Sequence, residues 1–259
     1  MSRITEAFKN HKALIAFVTG GDPDIGTTEK LIPAMADAGA DLIEIGIPFS
    51  DPVAEGIVIQ EADERALKGG CTTDKLFEMV KRVRKKTSIP LLFMTYLNPV
   101  YSYGKEKFMK KCAQCGIDGI IVPDMPFEEK GELEGVCRLY GVDLISMIAP
   151  NSKERVSLIA KEAKGFIYCV SSLGVTGVRD GISTQIGELI RKVRGVTNVP
   201  CAVGFGISTP QQASEFAMLS DGIIIGSAIV KLIAKYGKNC VRPVSEYIQS
   251  IRKANDNSI

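Results

Sequence analysis

Among the residues able to do chemistry, Glu44 is the most conspicuous. It interrupts an otherwise apolar run, Leu42-Ile43-Glu44-Ile45-Gly46-Ile47. Burying an unpaired carboxylate costs roughly several kcal/mol, so such a residue needs a reason. Apolar surroundings raise a carboxyl pKa, which suits a group that must both give and take a proton near neutrality. The alternative is a Glu turned outward to pair with a helix Lys or Arg. A second chemical signal comes late in the chain, where three glycine-bearing stretches follow apolar runs: Gly174–Gly177, Gly204–Gly206 and Gly226–Ser227. Glycine lets backbone N–H groups approach an anion, and a following helix N-terminus favours negative charge. Together they suggest a phosphate site, with tight turning alone as the alternative.

Other chemistries lack their residues. The only histidine is His11, so no histidine-containing metal cluster can be assembled, which argues against zinc hydrolases and metal-dependent barrel epimerases. Cys112-Ala113-Gln114-Cys115 has C-x-x-C spacing but closes a helical pattern instead of opening one, which reads as packing, not redox chemistry. The seven cysteines are scattered, with Cys137, Cys169, Cys201 and Cys240 in apolar settings. No lysine lies in any strand-like run, which disfavours a Schiff-base aldolase.

The elements that must position these residues are legible as a repeat. Eight apolar, β-rich runs occur at Ala13–Thr19, Leu42–Ile47, Pro90–Tyr96, Gly119–Pro123, Asp143–Ile148, Gly165–Ser171, Pro200–Gly206 and Asp221–Gly226. Most are continuous, as in strands covered on both faces. Between them lie helical stripes, such as Leu31-Ile32-Ala34-Met35-Ala38, Leu76-Met79-Val80-Val83 and Val156-Ile159-Ala160-Ala163. Gly39, Gly116, Gly141, Gly165 and Gly195 follow helical stretches, where a left-handed residue is expected. Thr209-Pro210-Gln211-Gln212 reads as a helix start with a capping box.

Eight strand–helix units in 259 residues predict a (β/α)₈ TIM barrel, one domain over residues 1–259 with an extra N-terminal helix and an inserted loop after the second strand, residues 48–70. A dinucleotide fold is disfavoured because Gly204-Phe205-Gly206 is followed by Thr209 where that motif needs Gly or Ala. The chain is 45% hydrophobic and 24% charged with net charge +2, so it can bury a core and lacks the electrostatic footprint of a nucleic-acid binder. Lys81-Arg82-Val83-Arg84-Lys85-Lys86 reads as the exposed face of a helix. No apolar run is long enough for a membrane helix and the N-terminus lacks a signal-peptide core, so a cytoplasmic protein is expected.

The run Leu42–Pro52 with Ala54, Gly56 and Gln60, together with Ala16–Thr19, Gly21-Asp22-Pro23, Tyr96–Pro99, Val122–Pro126, Gly174–Gly177 and Gly204–Ser208, resembles the tryptophan synthase alpha chain family in order and over nearly the whole chain. The resemblance implies retro-aldol cleavage of indole-3-glycerol phosphate to indole and glyceraldehyde 3-phosphate, with no metal and no cofactor in this chain. By it, the catalytic residues are Glu44, Glu55 and Tyr168. Substrate would be bound by Phe17, Tyr96, Thr176, Gly177, Phe205, Gly206, Gly226 and Ser227, and a loop at Ser171–Gly181 would close over it. The implied partner is a pyridoxal-phosphate (PLP) beta chain in an alpha2beta2 heterotetramer, met at or near Asp51, Pro52, Asn98 and Pro126. Two departures stand out. Ala54-Glu55-Gly56-Ile57 occupies the place of Ala-Asp-Gly-Pro, adding a methylene to the second carboxylate and losing a stiffening proline. A non-catalytic subunit that binds and activates the beta chain, and a different phosphate-binding barrel, are the competing readings.

Overall fold

The structure is a computed structural model that describes residues 2–170, 179–204 and 206–256. All eight expected strands are present. They form one parallel sheet from β1 (Ala13–Thr19), β2 (Leu42–Gly46), β3 (Leu91–Met94), β4 (Gly119–Ile121), β5 (Asp143–Leu144), β6 (Ser146–Ile148), β7 (Ile167–Val170), β8 (Cys201–Gly204) and β9 (Gly222–Ile225). The order is β5-β4-β3-β2-β1-β9-β8-β7-β6. The ninth strand arises because the fifth expected run is broken at Ile145. Its first half pairs with β4 and its second with β7, so the ring closes through one interrupted strand and the architecture is a TIM barrel.

Apart from β1, the strands are shorter than the apolar runs, because residues past the last ladder bond, such as Thr95-Tyr96 and Val122-Pro123, leave the sheet to form the loops at its rim. A further correction concerns residues 48–70. Only the first part is a loop, and Ile57–Lys68 is an additional α-helix whose buried face is Ile59, Ala62, Asp63 and Ala66. Gly39, Gly116, Gly141 and Gly165 take the positive φ expected of them. Gly195 does not, since Val196 and Thr197 still donate to Val193 and the chain leaves that helix by a further tightened turn. The capping box at Thr209 is formed as read. The basic run at 81–86 is not a uniformly exposed face. The helix ends at Val83, and Arg84 is only 13% exposed, donating to Asp118 and to the Gly116 and Ile89 carbonyls.

Two apolar layers result. Leu14, Ile43, Ile45, Leu91 and Phe93 pack outward against the helices, while Ile15, Leu42, Leu92, Ile121, Phe166, Ala202 and Ile224 fill the barrel interior. The short N-terminal helix Arg3–Glu6 plugs the lower end with Ile4. There the strands are clasped by three aspartates, each one residue ahead of a strand. Asp41, Asp118 and Asp221 accept the backbone N–H of Leu14, Leu91 and Cys201 on the neighbouring strand, at 2.7, 2.9 and 2.9 Å. Each also pairs with an arginine: Arg252 at 2.8 Å, Arg84 at 2.5 Å and Arg194 at 3.0 Å. His11 joins Asp41 at 2.9 Å, so the single histidine is structural. All seven cysteines are buried and free, including the C-x-x-C pair, whose Cys115 thiol burial pushes up to about 11. Among the described residues no helix is long and apolar enough to cross a membrane.

Candidate active site at the strand C-terminal ends

Strand alternation answers the question posed by Glu44. Leu42 faces the barrel interior and Ile43 and Ile45 face the helices, so Glu44 shares the inward side with Leu42. It lies in register with Phe17 on β1 and Leu92 on β3. The residue is 0% exposed and neither carboxylate oxygen has a hydrogen-bond partner. Burial, and then the negative charge of Glu55, push its pKa up from 4.5 to about 8. Near neutral pH it therefore carries a proton that no hydrogen-bond partner among the described residues holds.

Its neighbours require two glycines. A Cβ on Gly46 would lie 2.7 Å from Phe17 Cζ, so only glycine lets the Phe17 ring cross the end of β2. A Cβ on Gly204 would overlap the Tyr168 hydroxyl, so Tyr168, 7% exposed on β7, lies flat against β8. Burial, helped by Glu44 and Glu55, holds the Tyr168 hydroxyl far above its ordinary pKa, and it remains a neutral donor.

Glu55 enters from the loop after β2. Burial raises its pKa from 4.5 to about 7. The loop is tied at three points: Ala54 N–H donates to Tyr96 Oη at 2.9 Å, Glu55 N–H to the Pro52 carbonyl at 3.1 Å, and Gln60 Nε2 to the Glu55 carbonyl at 2.8 Å. The Tyr96 ring packs against Phe49 at 5.4 Å between centroids. A third carboxyl, Asp63, sits behind this loop at 5% exposure. Burial is the main cause that raises its pKa from 3.8 to about 7, opposed by the Phe49 backbone N–H and reinforced by Glu55. The arginine on the same helix does not neutralise these acids, because Arg65 is engaged by Asp22 through two bonds of 2.9 and 2.8 Å.

Beyond the neighbouring strand β1, Gly226 caps the helix Ser227–Tyr236, and a Cβ on Gly226 would come within 3.3 Å of the Phe17 ring. That helix N-terminus and the positive-φ Gly206 lie at the same end of the barrel as Glu44, after β9 and β8. Thr176, Gly177 and Phe205, expected to bind substrate, lie outside the described residues. So does the expected lid up to residue 178, while residues 179–181 open the helix Arg179–Arg194. Asp51, Asn98 and Pro126 are exposed and Pro52 half-buried; Asp51, Pro52 and Pro126 lie on the loops after β2 and β4, and Asn98 in the helix Leu97–Tyr103 after β3. No group of three or more potential metal ligands occurs among the described residues.

The structure thus brings Glu44, Glu55, Tyr168, Phe17 and Tyr96 to one mouth. Asp63 was missed by the sequence reading. Ile59, Ala62, Asp63 and Ala66 follow helical spacing, a signal hidden within residues 48–70, for which a loop is expected.

Comparisons with known proteins agree with this geometry. The profile of the family described as "Tryptophan synthase alpha chain" matches residues 4–257. The chain is 46% identical to the tryptophan synthase alpha chain of Lacticaseibacillus casei over 256 residues, covering 99% of this chain and 96% of that one. It is 48% identical to that of Lactiplantibacillus plantarum over 257 residues, covering 99% and 97%. Among solved structures, tryptophan synthase subunit alpha from Legionella pneumophila superposes with a TM-score of 0.91 at 34% identity, covering 99% of each chain. A chain of Mycobacterium tuberculosis tryptophan synthase superposes with a TM-score of 0.86 at 30% identity, covering 97% and 99%.

Proposed function

The chain belongs to the tryptophan synthase alpha chain family, and from that membership we propose how its mouth works as a carbon–carbon lyase on indole-3-glycerol phosphate. The products are indole and glyceraldehyde 3-phosphate. The observation that carries the mechanism is a fully buried Glu44 with no partner, aimed into the barrel mouth.

The protonated Glu44 gives its proton to indole C3, and the ring nitrogen takes up the resulting positive charge. The Glu44 carboxylate then removes the proton from the hydroxyl on the side-chain carbon bonded to C3. That carbon becomes the aldehyde, the carbon–carbon bond breaks, and its electron pair returns to the ring. One proton is given and one recovered, so neither water nor an external acid is consumed. A pKa of about 8 leaves Glu44 mostly protonated at the start and still basic enough to close the cycle. Glu55 stabilises the developing charge at the ring nitrogen. The neutral Tyr168 hydroxyl donates toward the reacting oxygen, and Phe17 and Tyr96 flank the indole. Gly206, Gly226 and Ser227, with Gly177 and Phe205, bind the phosphate through backbone N–H groups and the helix N-terminus, and Thr176 helps place the catalytic carboxylates.

The reaction requires no metal or organic cofactor from this chain, which acts as one barrel domain in the cytoplasm. Its partner is a PLP-bearing beta chain in an alpha2beta2 assembly, seated over the rim at Asp51, Pro52, Asn98 and Pro126. Val53 and Ile57, 83% and 66% exposed on the loop and helix after β2, are apolar side chains for such a partner to cover. The test is indole release from indole-3-glycerol phosphate by the purified chain, alone and with a beta chain. Release that vanishes in Glu44→Gln while beta-chain binding persists is the expected result. No release from the wild-type chain in either setting would overturn the reading.

A further inference from the structure

Asp124 has no part in the steps above, yet it ties two loops of the mouth together. The ladder between β3 and β4 ends with the bond from Thr95 N–H to the Ile121 carbonyl at 3.0 Å. Beyond it the chain passes through Tyr96 and enters the helix Leu97–Tyr103 at once. Tyr96 holds the N-cap position of that helix, but its side chain makes no cap bond; its hydroxyl accepts Ala54 N–H instead. The first helical N–H, that of Leu97, is met from outside. Both Asp124 carboxylate oxygens accept it, at 2.9 and 3.2 Å, from the loop after β4. An acidic side chain suits this place, because a helix start presents unpaired N–H groups and the positive end of the peptide dipoles. Leu97 N–H belongs to the peptide that leaves Tyr96, so holding it holds the Tyr96 backbone. The Tyr96 hydroxyl holds Ala54 N–H at 2.9 Å, and Ala54 is bonded to Glu55. A continuous path of hydrogen bonds and covalent bonds therefore runs from Asp124 to the acid that enters the mouth from the loop after β2. Tyr96 is buried but Asp124 is exposed, so the outer end of the path can be cut without opening the apolar core.

We propose that Asp124 is a positioning residue: by accepting Leu97 N–H it fixes Tyr96 and, through the Tyr96 hydroxyl, the placement of Glu55. Its effect on rate rests on the lyase reading; its effect on the loop after β2 does not. The bond needs an acceptor oxygen and no charge, so an amide of the same length serves, whereas a methyl or an ammonium group does not.

Two measurements test it. Amide hydrogen exchange reads the path at its far end. Losing a local cap alone speeds exchange at Leu97 and its neighbours; losing the proposed path also speeds it at Ala54, on a different loop. Asp124→Ala should raise the Ala54 exchange rate at least about 5-fold, while Asp124→Asn stays within about 2-fold of wild type. This arm stands even if the wild-type chain releases no indole, a result that counts against the lyase reading alone. In indole release, Asp124→Ala should lower kcat about 3- to 10-fold with KM changed less than about 2-fold, and Asp124→Asn should restore most of the rate. In a Tyr96→Phe background, where the path is already cut, the same Asp124→Ala change should cost less than about 2-fold more. Asp124→Lys, which offers donors only, takes the place of Asp124→Ala if that variant does not fold. Unchanged exchange at Ala54 in Asp124→Ala, an equal loss of rate in both backgrounds, or an Asn variant as impaired as Ala would overturn the proposal.

Discussion

The two ends of the barrel treat acidic residues in opposite ways. At the N-terminal ends of the strands, Asp41, Asp118 and Asp221 each receive a backbone N–H and an arginine. At the C-terminal ends, Glu44 has no hydrogen-bond partner among the described residues, and burial raises the pKa of Glu55 and Asp63. The lower acids thus tie strands to helices through their arginines. The upper ones are held near neutrality, where a proton can be exchanged. The comparison teaches that the same residue type serves stability or chemistry according to whether a cation is built beside it.

Four experiments sharpen or break that contrast. The largest effect is expected at the upper end. Glu44→Gln should reduce indole release by at least about 10³-fold, since Glu44 both gives and recovers the proton in the proposed cycle; a loss under 10-fold would remove Glu44 from the mechanism. At the lower end, Asp118→Ala leaves Arg84 buried without its carboxylate and should cost about 3 kcal/mol, lowering Tm by several degrees, while kcat of the folded fraction stays unchanged. Thermal unfolding beside steady-state assays reads both quantities, and a kcat loss without destabilisation would blur the division between ends.

The third experiment uses pH. The pKa of Glu44 is raised in the folded chain from 4.5 to about 8, so folding is favoured while the group is neutral and that advantage is lost as pH rises through 8. Glutamine never ionises. Glu44→Gln should therefore raise Tm by about 2–4 °C at pH 9 and by little at pH 5, a gain in stability at the expense of activity. A variant less stable than wild type at pH 9 would mean that Glu44 is paired in solution. The smallest effect belongs to Tyr96→Phe. Losing the acceptor for Ala54 N–H should lower kcat about 3- to 10-fold and leave Tm within about 2 °C. An unchanged rate would show that the other ties of the loop suffice.

Much of this was legible in the chain. The first strand agrees residue for residue with its apolar run, and the others begin within two residues of theirs, because burial on both faces leaves an unbroken β-branched signal. Glu44 was legible for the converse reason, a charge where the pattern demanded none. The break at Ile145 was not legible, since strand closure depends on two neighbours that are remote in sequence. The clasp at the lower end was also missed. An aspartate one residue before a strand looks like an ordinary loop residue until Arg84, Arg194 and Arg252 are folded against it from 34, 27 and 211 residues away.

Residue order alone determined the eight apolar runs and the presence of an acid within the second, since these follow from local hydrophobic patterning. The folded barrel decided which acids would keep a counter-charge. Ionisation depends on what stands within a few ångströms of a carboxyl group, and that distance is set by packing between segments far apart along the chain.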